Sequence, residues 1–191
     1  DSGDLPRLFL VDLQGTTLGI VHVKGVKATD WEDMCSFELD GESWLLVGDI
    51  GDNQRVRGTK SPACRLLLLK EPEYAPSGST KATVETTIDV IRTMEFQFPD
   101  GPHDCESLAV DPVSRTILLV TKASPFNSAL YSLPLTITKG KASLTADRIA
   151  SLGVAYATAM DVSPDGSRLA IVNMFSGVML TRDDPNTKSW A

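Results

Sequence analysis

The chain has 191 residues, 42% of them hydrophobic, and 18 Lys and Arg against 25 Asp and Glu give it a formal net charge of −7. It is long enough for one sizeable core and too apolar for a disordered chain, and it lacks the basic run that a nucleic-acid interface needs. Its longest pure apolar runs, Leu66 to Leu69 among them, are strand-length and far short of a membrane-spanning helix.

Strand signals follow one another along the chain. Arg7 to Asp12 is a short apolar run ending in a turn at Gln14-Gly15, and Leu18 to Val23 follows at hairpin distance. A short strand from Glu32 to Phe37 leads through Asp40-Gly41 to Ser43–Val47. Arg65 to Lys70, Thr83 to Arg92, Glu106 to Asp111, Thr116 to Thr121, Ala129 to Leu133 and Arg148 to Leu152 continue the series. Thr158 to Val162, Arg168 to Val172 and Gly177 to Thr181 close it. All are short, rich in Val, Ile, Leu and Thr, and bounded by Gly, Pro, Asp or Ser. No stretch holds a helical period over about 11 residues, so the class is all-β. The cysteines, Cys35, Cys64 and Cys105, have no zinc-site spacing. They read as small buried hydrophobes, with a Cys35–Cys105 disulfide as the alternative.

Three segments repeat, beginning at Glu32, Glu106 and Thr158, at intervals of 74 and 52 residues. Each is a short strand, a tight turn carrying Asp-Gly, Asp-Pro or Pro-Asp-Gly, and a more apolar strand. Two further strands fall inside each interval, which completes four per unit. Four short strands in about 40–50 residues is the period of a β-propeller blade. The expected fold is a single β-propeller domain of four-stranded antiparallel blades. Residues 1–25 supply outer strands of a first blade, 26–100 a blade with a long loop at Gly51–Pro62, 101–155 a blade, and 156–191 a partial blade. About three to four blades are fewer than a closed ring needs. The expectation is a fragment, or a ring completed by a second chain.

Acidic clusters punctuate these strands: Asp1-Ser2-Gly3-Asp4, Asp30-Trp31-Glu32-Asp33, Gly48-Asp49-Ile50-Gly51-Asp52-Asn53 and His103-Asp104-Cys105-Glu106, with Asp161 as a lone fifth candidate. Glu32 and Glu106 hold the same repeat position, just before the innermost strand of a blade. Carboxylates gathered at the mouth of a central channel repel one another unless a cation sits among them. Hard oxygen ligands favour calcium, with magnesium as the other choice. Glu32, Asp49, Asp52, Asn53 and Glu106 are therefore candidate metal ligands. His103 and Glu106 are the candidate catalytic residues, an acid–base pair in sequence neighbourhood. The same residue types are also ordinary in β-turns and structural ion pairs, and His22, inside a strand, reads as structural. No Gly-x-Ser-x-Gly elbow, P-loop or dinucleotide fingerprint is present.

DSGD, DWED, GDIGDN, the His-Asp-x-Glu-Ser-Leu-Ala-Val-Asp-Pro segment and Asp161 to Gly166 occur in that order and cover nearly the whole chain. Together they resemble a family of secreted bacterial β-propeller proteins related in style to the esterase-like phytase and TolB-like propellers. The resemblance implies an exported protein, secreted or periplasmic, with acidic inner-rim residues at Asp4, Glu32, Asp33, Asp49, Asp52, Asn53 and Glu106, which adds Asp4 and Asp33 to the candidate metal ligands. It also implies a strand before DSGD and a further blade after the last one here. Two functions stay open. One is a calcium-binding propeller, with a phosphate- or ester-hydrolase activity on a small anionic substrate. The other is a non-catalytic scaffold for a protein or glycan partner. A lactonase-like variant of the first needs a convergent Asn, which only Asn53 or Asn173 supplies.

Overall fold

The computed structural model describes residues 3–73, 84–185, 187 and 190. Asp1 and Ser2 of the first acidic cluster and Thr83, the expected start of a strand, lie outside them. The described residues form strands without a helix, and no helix is long and apolar enough to cross a membrane.

β1 (Arg7–Val11) and β2 (Thr17–Lys24) form an antiparallel hairpin. β3 (Trp31–Leu39), β4 (Glu42–Asp49), β5 (Cys64–Lys70) and β6 (Val84–Gln97) follow as an antiparallel blade. The β3–β4 connection is the two-residue Asp40-Gly41 turn, with φ of 55° and 78°. Positive φ at both positions matches the strand twist of a hairpin, which is why Asp-Gly sits there. The second blade is β7 (Cys105–Asp111), β8 (Thr116–Thr121) and β9 (Ala129–Pro134). β10 (Gly140–Thr145) leaves it to pair in parallel with residues 92–97 of β6, and β11 (Asp147–Ser151) returns to β9. The third blade is β12 (Ala157–Val162), β13 (Arg168–Asn173) and β14 (Gly177–Thr181).

The blades pack face to face as in a β-propeller. Alternation along β4 and β5 sends Trp44, Leu46, Leu66 and Leu68 to one side, against Leu108, Ile117, Leu119 and Tyr131 of the second blade. The other side of the second blade, with Ala109, Leu118 and Val120, meets Met160, Leu169 and Ile171 of the third. Strands buried on both faces read as unbroken apolar runs, and Leu66 to Leu69 are all 0% exposed. Each such Leu contributes about 1.5–3 kcal/mol of burial. β3 contacts β7, β7 contacts β12 and β12 contacts β3, so the first strand of every blade lies innermost.

The β1–β2 hairpin is joined to the first blade through β6: β2 runs parallel to residues 84–89 of β6, whose later residues pair with β5. The reason is length. β6 has 14 residues and β5 has 7, so the first half of β6 runs beyond β5 and takes β2 as partner. The sheet then folds over, and Val23 joins Leu45, Val47, Leu67 and Leu69 in a third core cluster. At the opposite end, Val172 and Met179 of the third blade are 45% and 57% exposed. The position in the second blade that matches Val172, Val120, is 0% exposed. The cysteines are free and buried, without the alternative Cys35–Cys105 bridge. Burial pushes the Cys64 thiol up to about 12 and raises those of Cys35 and Cys105 as well, so none is a reactive thiolate.

A carboxylate cluster at the inner rim

Glu32 opens β3 and Glu106 opens β7, and these innermost strands start at the same end of the molecule. The loop after β4 closes over that end. Its Ile50 and Gly51 N–H groups donate to the Asp30 carbonyl at 3.1 and 3.2 Å. A Cβ on Gly51 would stand 2.5 Å from Asp30 Oδ2 and 2.6 Å from Glu32 Oε1, so only Gly fits beneath the two carboxyls. The Asp30 and Glu32 carboxyls thus lie side by side over Gly51. Burial, then the charges of Glu106 and Asp30, push Glu32 up to about 7. Glu106 is paired instead with the Lys122 ammonium, just past the end of β8. Its hydrogen bond raises the Lys122 pKa, with Asp104 and Glu32 adding to it.

The other candidates have different surroundings. Asp33 turns into the protein, accepting from Met34 N at 2.9 Å, from Leu108 N at 2.8 Å and from Met160 N at 3.4 Å. Burial nevertheless raises its pKa to about 6. Asp49 is 0% exposed and ion-paired to Arg57 at 2.8 Å and to Arg65. Burial alone would raise its pKa, but the Asp30 N–H and the two guanidinium groups outweigh it and the net shift is downward. Asp52 accepts from Val56 N and Arg57 N at 2.8 and 2.9 Å, and Asn53 is exposed beside it. Asp4 is exposed and pairs with Arg7 at 3.1 Å. Asp161 is exposed and adds its charge to the field at Asp33. His103 meets Asp100 at 3.0 Å and Tyr131 at 3.3 Å, and no hydrogen bond or ion pair joins it to Glu106. Thus Glu32 and Glu106 converge, with Asp30 and Lys122 completing the group. Among the described residues, no three His, Cys, Asp or Glu side chains are arranged to hold a metal ion.

Asp30 lies within one of the acidic clusters of the sequence, but Lys122 carries no signal there, because a Lys after an apolar strand is commonplace. Asp111, in appearance only a turn residue, caps its turn through Ser114 and also holds Arg182 at 2.5 Å in a buried ion pair. Arg182 in turn stacks on Trp190 and bonds the Gly166 carbonyl, tying the C-terminal residues to the second blade.

The rim sets a pH dependence. Burial, helped at Glu32 by neighbouring carboxylates, holds Glu32 at about 7 and Asp33 at about 6, above the ordinary carboxylate range. Their contribution to stability is full below the unfolded values and is lost as pH rises through the folded ones. Asp49 and Asp100 are shifted downward, and theirs is lost only below the ordinary carboxylate range. The Tm is therefore expected to rise on going from about pH 8 to about pH 5 and to fall on further acidification. Glu32→Gln should flatten the upper limb in thermal melts. A wild-type Tm that falls steadily from pH 8 downward would contradict this.

No protein-family model matches the chain, and no curated protein matches it. Among solved structures it is similar to the β-propeller domain of Cps50 (Swd1) from Myceliophteria thermophila, at 12% identity and a TM-score of 0.43, covering 93% of this chain and 48% of that one. It is also similar to Kuenenia stuttgartiensis hydrazine synthase, at 10% identity and a TM-score of 0.46, covering 93% and 52%. A chain of a mitotic checkpoint complex matches at 12% identity and a TM-score of 0.41, covering 91% and 57%. The chain spans about half the length of these solved chains.

Proposed function

We propose that the protein is a β-propeller binding scaffold whose inner rim takes a basic side chain of a protein partner. The observation that supports this reading is the Asp30–Glu32 pair. It offers carboxyl oxygens beside a third carboxylate, Glu106, with a single ammonium, Lys122, among them. A cationic group docking there favours the charged form of Glu32, displaces its proton and completes the charge balance. Export to the periplasm or medium, and cover for the open face of the third blade by further blades or a second chain, belong to the same proposal.

The test is calorimetric titration with a tetralysine peptide near pH 7 in buffers of different ionisation enthalpy. Binding is expected to weaken as salt rises and to release a fraction of a proton, and Glu32→Gln should abolish that release. Binding that is identical in the variant would place the peptide elsewhere and sink the proposal.

A divalent cation is the second occupant to weigh. Calcium takes about 6–8 oxygen ligands. Asp49 and Asp52 are engaged by arginines and backbone N–H groups and Glu106 by Lys122, so the Asp30 and Glu32 carboxyls would supply the protein's share and water the rest. Calcium chloride in the same calorimeter tests that occupant directly. Hydrolysis of a phosphate or ester is favoured by one observation, a Glu32 carboxyl held near neutrality, as a general acid or base requires.

A further inference from the structure

A separate cleft lies between the loop after β4, the connection from β6 to β7, and the loop after β8. It measures about 340 Å³ and is lined by Arg55, Asp100, His103, Phe126, Tyr131 and Arg148. None of these belongs to the Asp30–Glu32 cluster. Its floor is rigid. Tyr131 is 0% exposed, and its hydroxyl donates to the Asp100 carboxylate at 2.9–3.0 Å. A carboxylate only accepts, so His103 Nε2, at 3.0 Å from Asp100, must carry its proton there. That leaves Nδ1 without a hydrogen bond among the described residues. Phe98 stands edge-on to both rings, at 5.1 Å from His103 and 4.8 Å from Tyr131, and fixes their planes. Asp100 thus spends its charge on two donors inside the floor.

The walls are cationic. Arg55 has a φ of 53°, a strained value for a residue with a side chain, and its N–H is tied to the Asp52 carbonyl at 2.8 Å. Its guanidinium has no hydrogen bond or ion pair among the described residues. Arg148 approaches the Tyr131 hydroxyl and holds Ser151 Oγ at 2.9 Å with one nitrogen, which leaves other donors of its fork open. At the mouth Phe126 is 95% exposed, an aromatic face with nothing on it.

We propose that this cleft binds a small organic phosphate monoester. Two guanidinium groups facing one space match a dianion, since each fork takes two oxygens of a phosphate. A monoanionic carboxylate would leave one guanidinium unused. The exposed Phe126 ring supplies a stacking face for the organic part, and the volume admits a single ring beside the phosphate. His103 Nδ1 is available to the phosphate or to its ester oxygen.

Phenyl phosphate, inorganic phosphate and benzoate are the probes, titrated at constant ionic strength and followed by amide chemical shifts. Saturable 1:1 binding of phenyl phosphate is expected, with shifts centred on Arg55, His103 and Phe126. Arg55→Gln and Arg148→Gln, both at exposed positions, should each weaken it about tenfold. Phe126→Ala should weaken phenyl phosphate several-fold and leave inorganic phosphate unchanged. Glu32→Gln should alter neither, which separates this cleft from the rim. Benzoate should bind about tenfold more weakly than phenyl phosphate. Equal binding of the two would show a site for one negative charge and overturn the phosphate assignment, as would phenyl phosphate binding that survives both arginine substitutions.

Discussion

Asp49→Ala is expected to lower the unfolding free energy by about 3–5 kcal/mol, the loss seen when one partner is removed from a buried ion pair. The carboxylate is 0% exposed, and the Arg57 side chain facing it is 4% exposed. Without Asp49 the Arg57 guanidinium remains buried with only the carbonyls of Gly51, Pro62 and Ala63 as acceptors, at 3.2, 3.1 and 2.9 Å. Those bonds satisfy three of its five N–H donors and do not neutralise its charge, which is the source of the penalty. Asp49→Asn keeps one acceptor oxygen for the Asp30 N–H, now at 3.0 Å, and should lose less. The effect also reaches the rim. The Asp30 N–H bond to Asp49 holds Asp30 beside Gly51, so Asp49→Ala should reduce tetralysine binding although Asp49 itself is buried. Guanidinium melts near pH 7 decide the matter: a loss under about 1 kcal/mol for Asp49→Ala would mean that Arg57 finds water, and the buried-pair account would fail.

How far this could be read beforehand depended on whether the signal was local. Arg65–Lys70 and Thr116–Thr121 announce themselves as strands buried on both faces, and Asp40-Gly41 announces a two-residue hairpin turn. β10 announces nothing, because its exposed, alternating Gly-Lys-Ala-Ser-Leu-Thr earns its strand only from a parallel partner in another blade. The pairing of β2 with β6 is equally silent, since it follows from the excess length of β6 over β5. The same division runs through the site. Equivalent repeat positions brought Glu32 and Glu106 together in the sequence as in the fold. The arginines that hold Asp49 lie 8 and 16 residues away in unremarkable contexts, so a buried ion pair and an open ligand look alike in one dimension. The cleft around His103 was hidden for the same reason: Arg55, Tyr131 and Arg148 belong to three elements that only the packing of two blades brings face to face.

Asp33 is the other position where a single carboxylate matters to the whole. It belongs to the innermost strand of the first blade, yet its Oδ2 accepts N–H bonds from Leu108 and Met160, 75 and 127 residues away, on the innermost strands of the next two. Leu108 is 0% exposed and Met160 is 5% exposed, so neither N–H has water as a substitute. Each buried donor left unpaired costs about 1–3 kcal/mol, with the 3.4 Å bond to Met160 at the lower end. Asp33→Ala is therefore expected to destabilise by about 3 kcal/mol. The loss is offset in part near neutrality, where burial already disfavours the charged carboxylate and holds its pKa at about 6. Lowering the pH toward about 5 protonates native Asp33 and removes that offset, so the gap between wild type and Asp33→Ala should widen as pH falls through this range. Asp33→Asn keeps one acceptor for Leu108 and should show a smaller loss at every pH, widening in the same way as pH falls because Asn does not titrate. Amide hydrogen exchange gives the residue-level reading, with Leu108 and Met160 expected to lose protection together in Asp33→Ala. If both amides stayed as protected as in the wild type, the inner strands would be held by side-chain packing alone, and Asp33 would be a passenger at the axis rather than the tie between three blades.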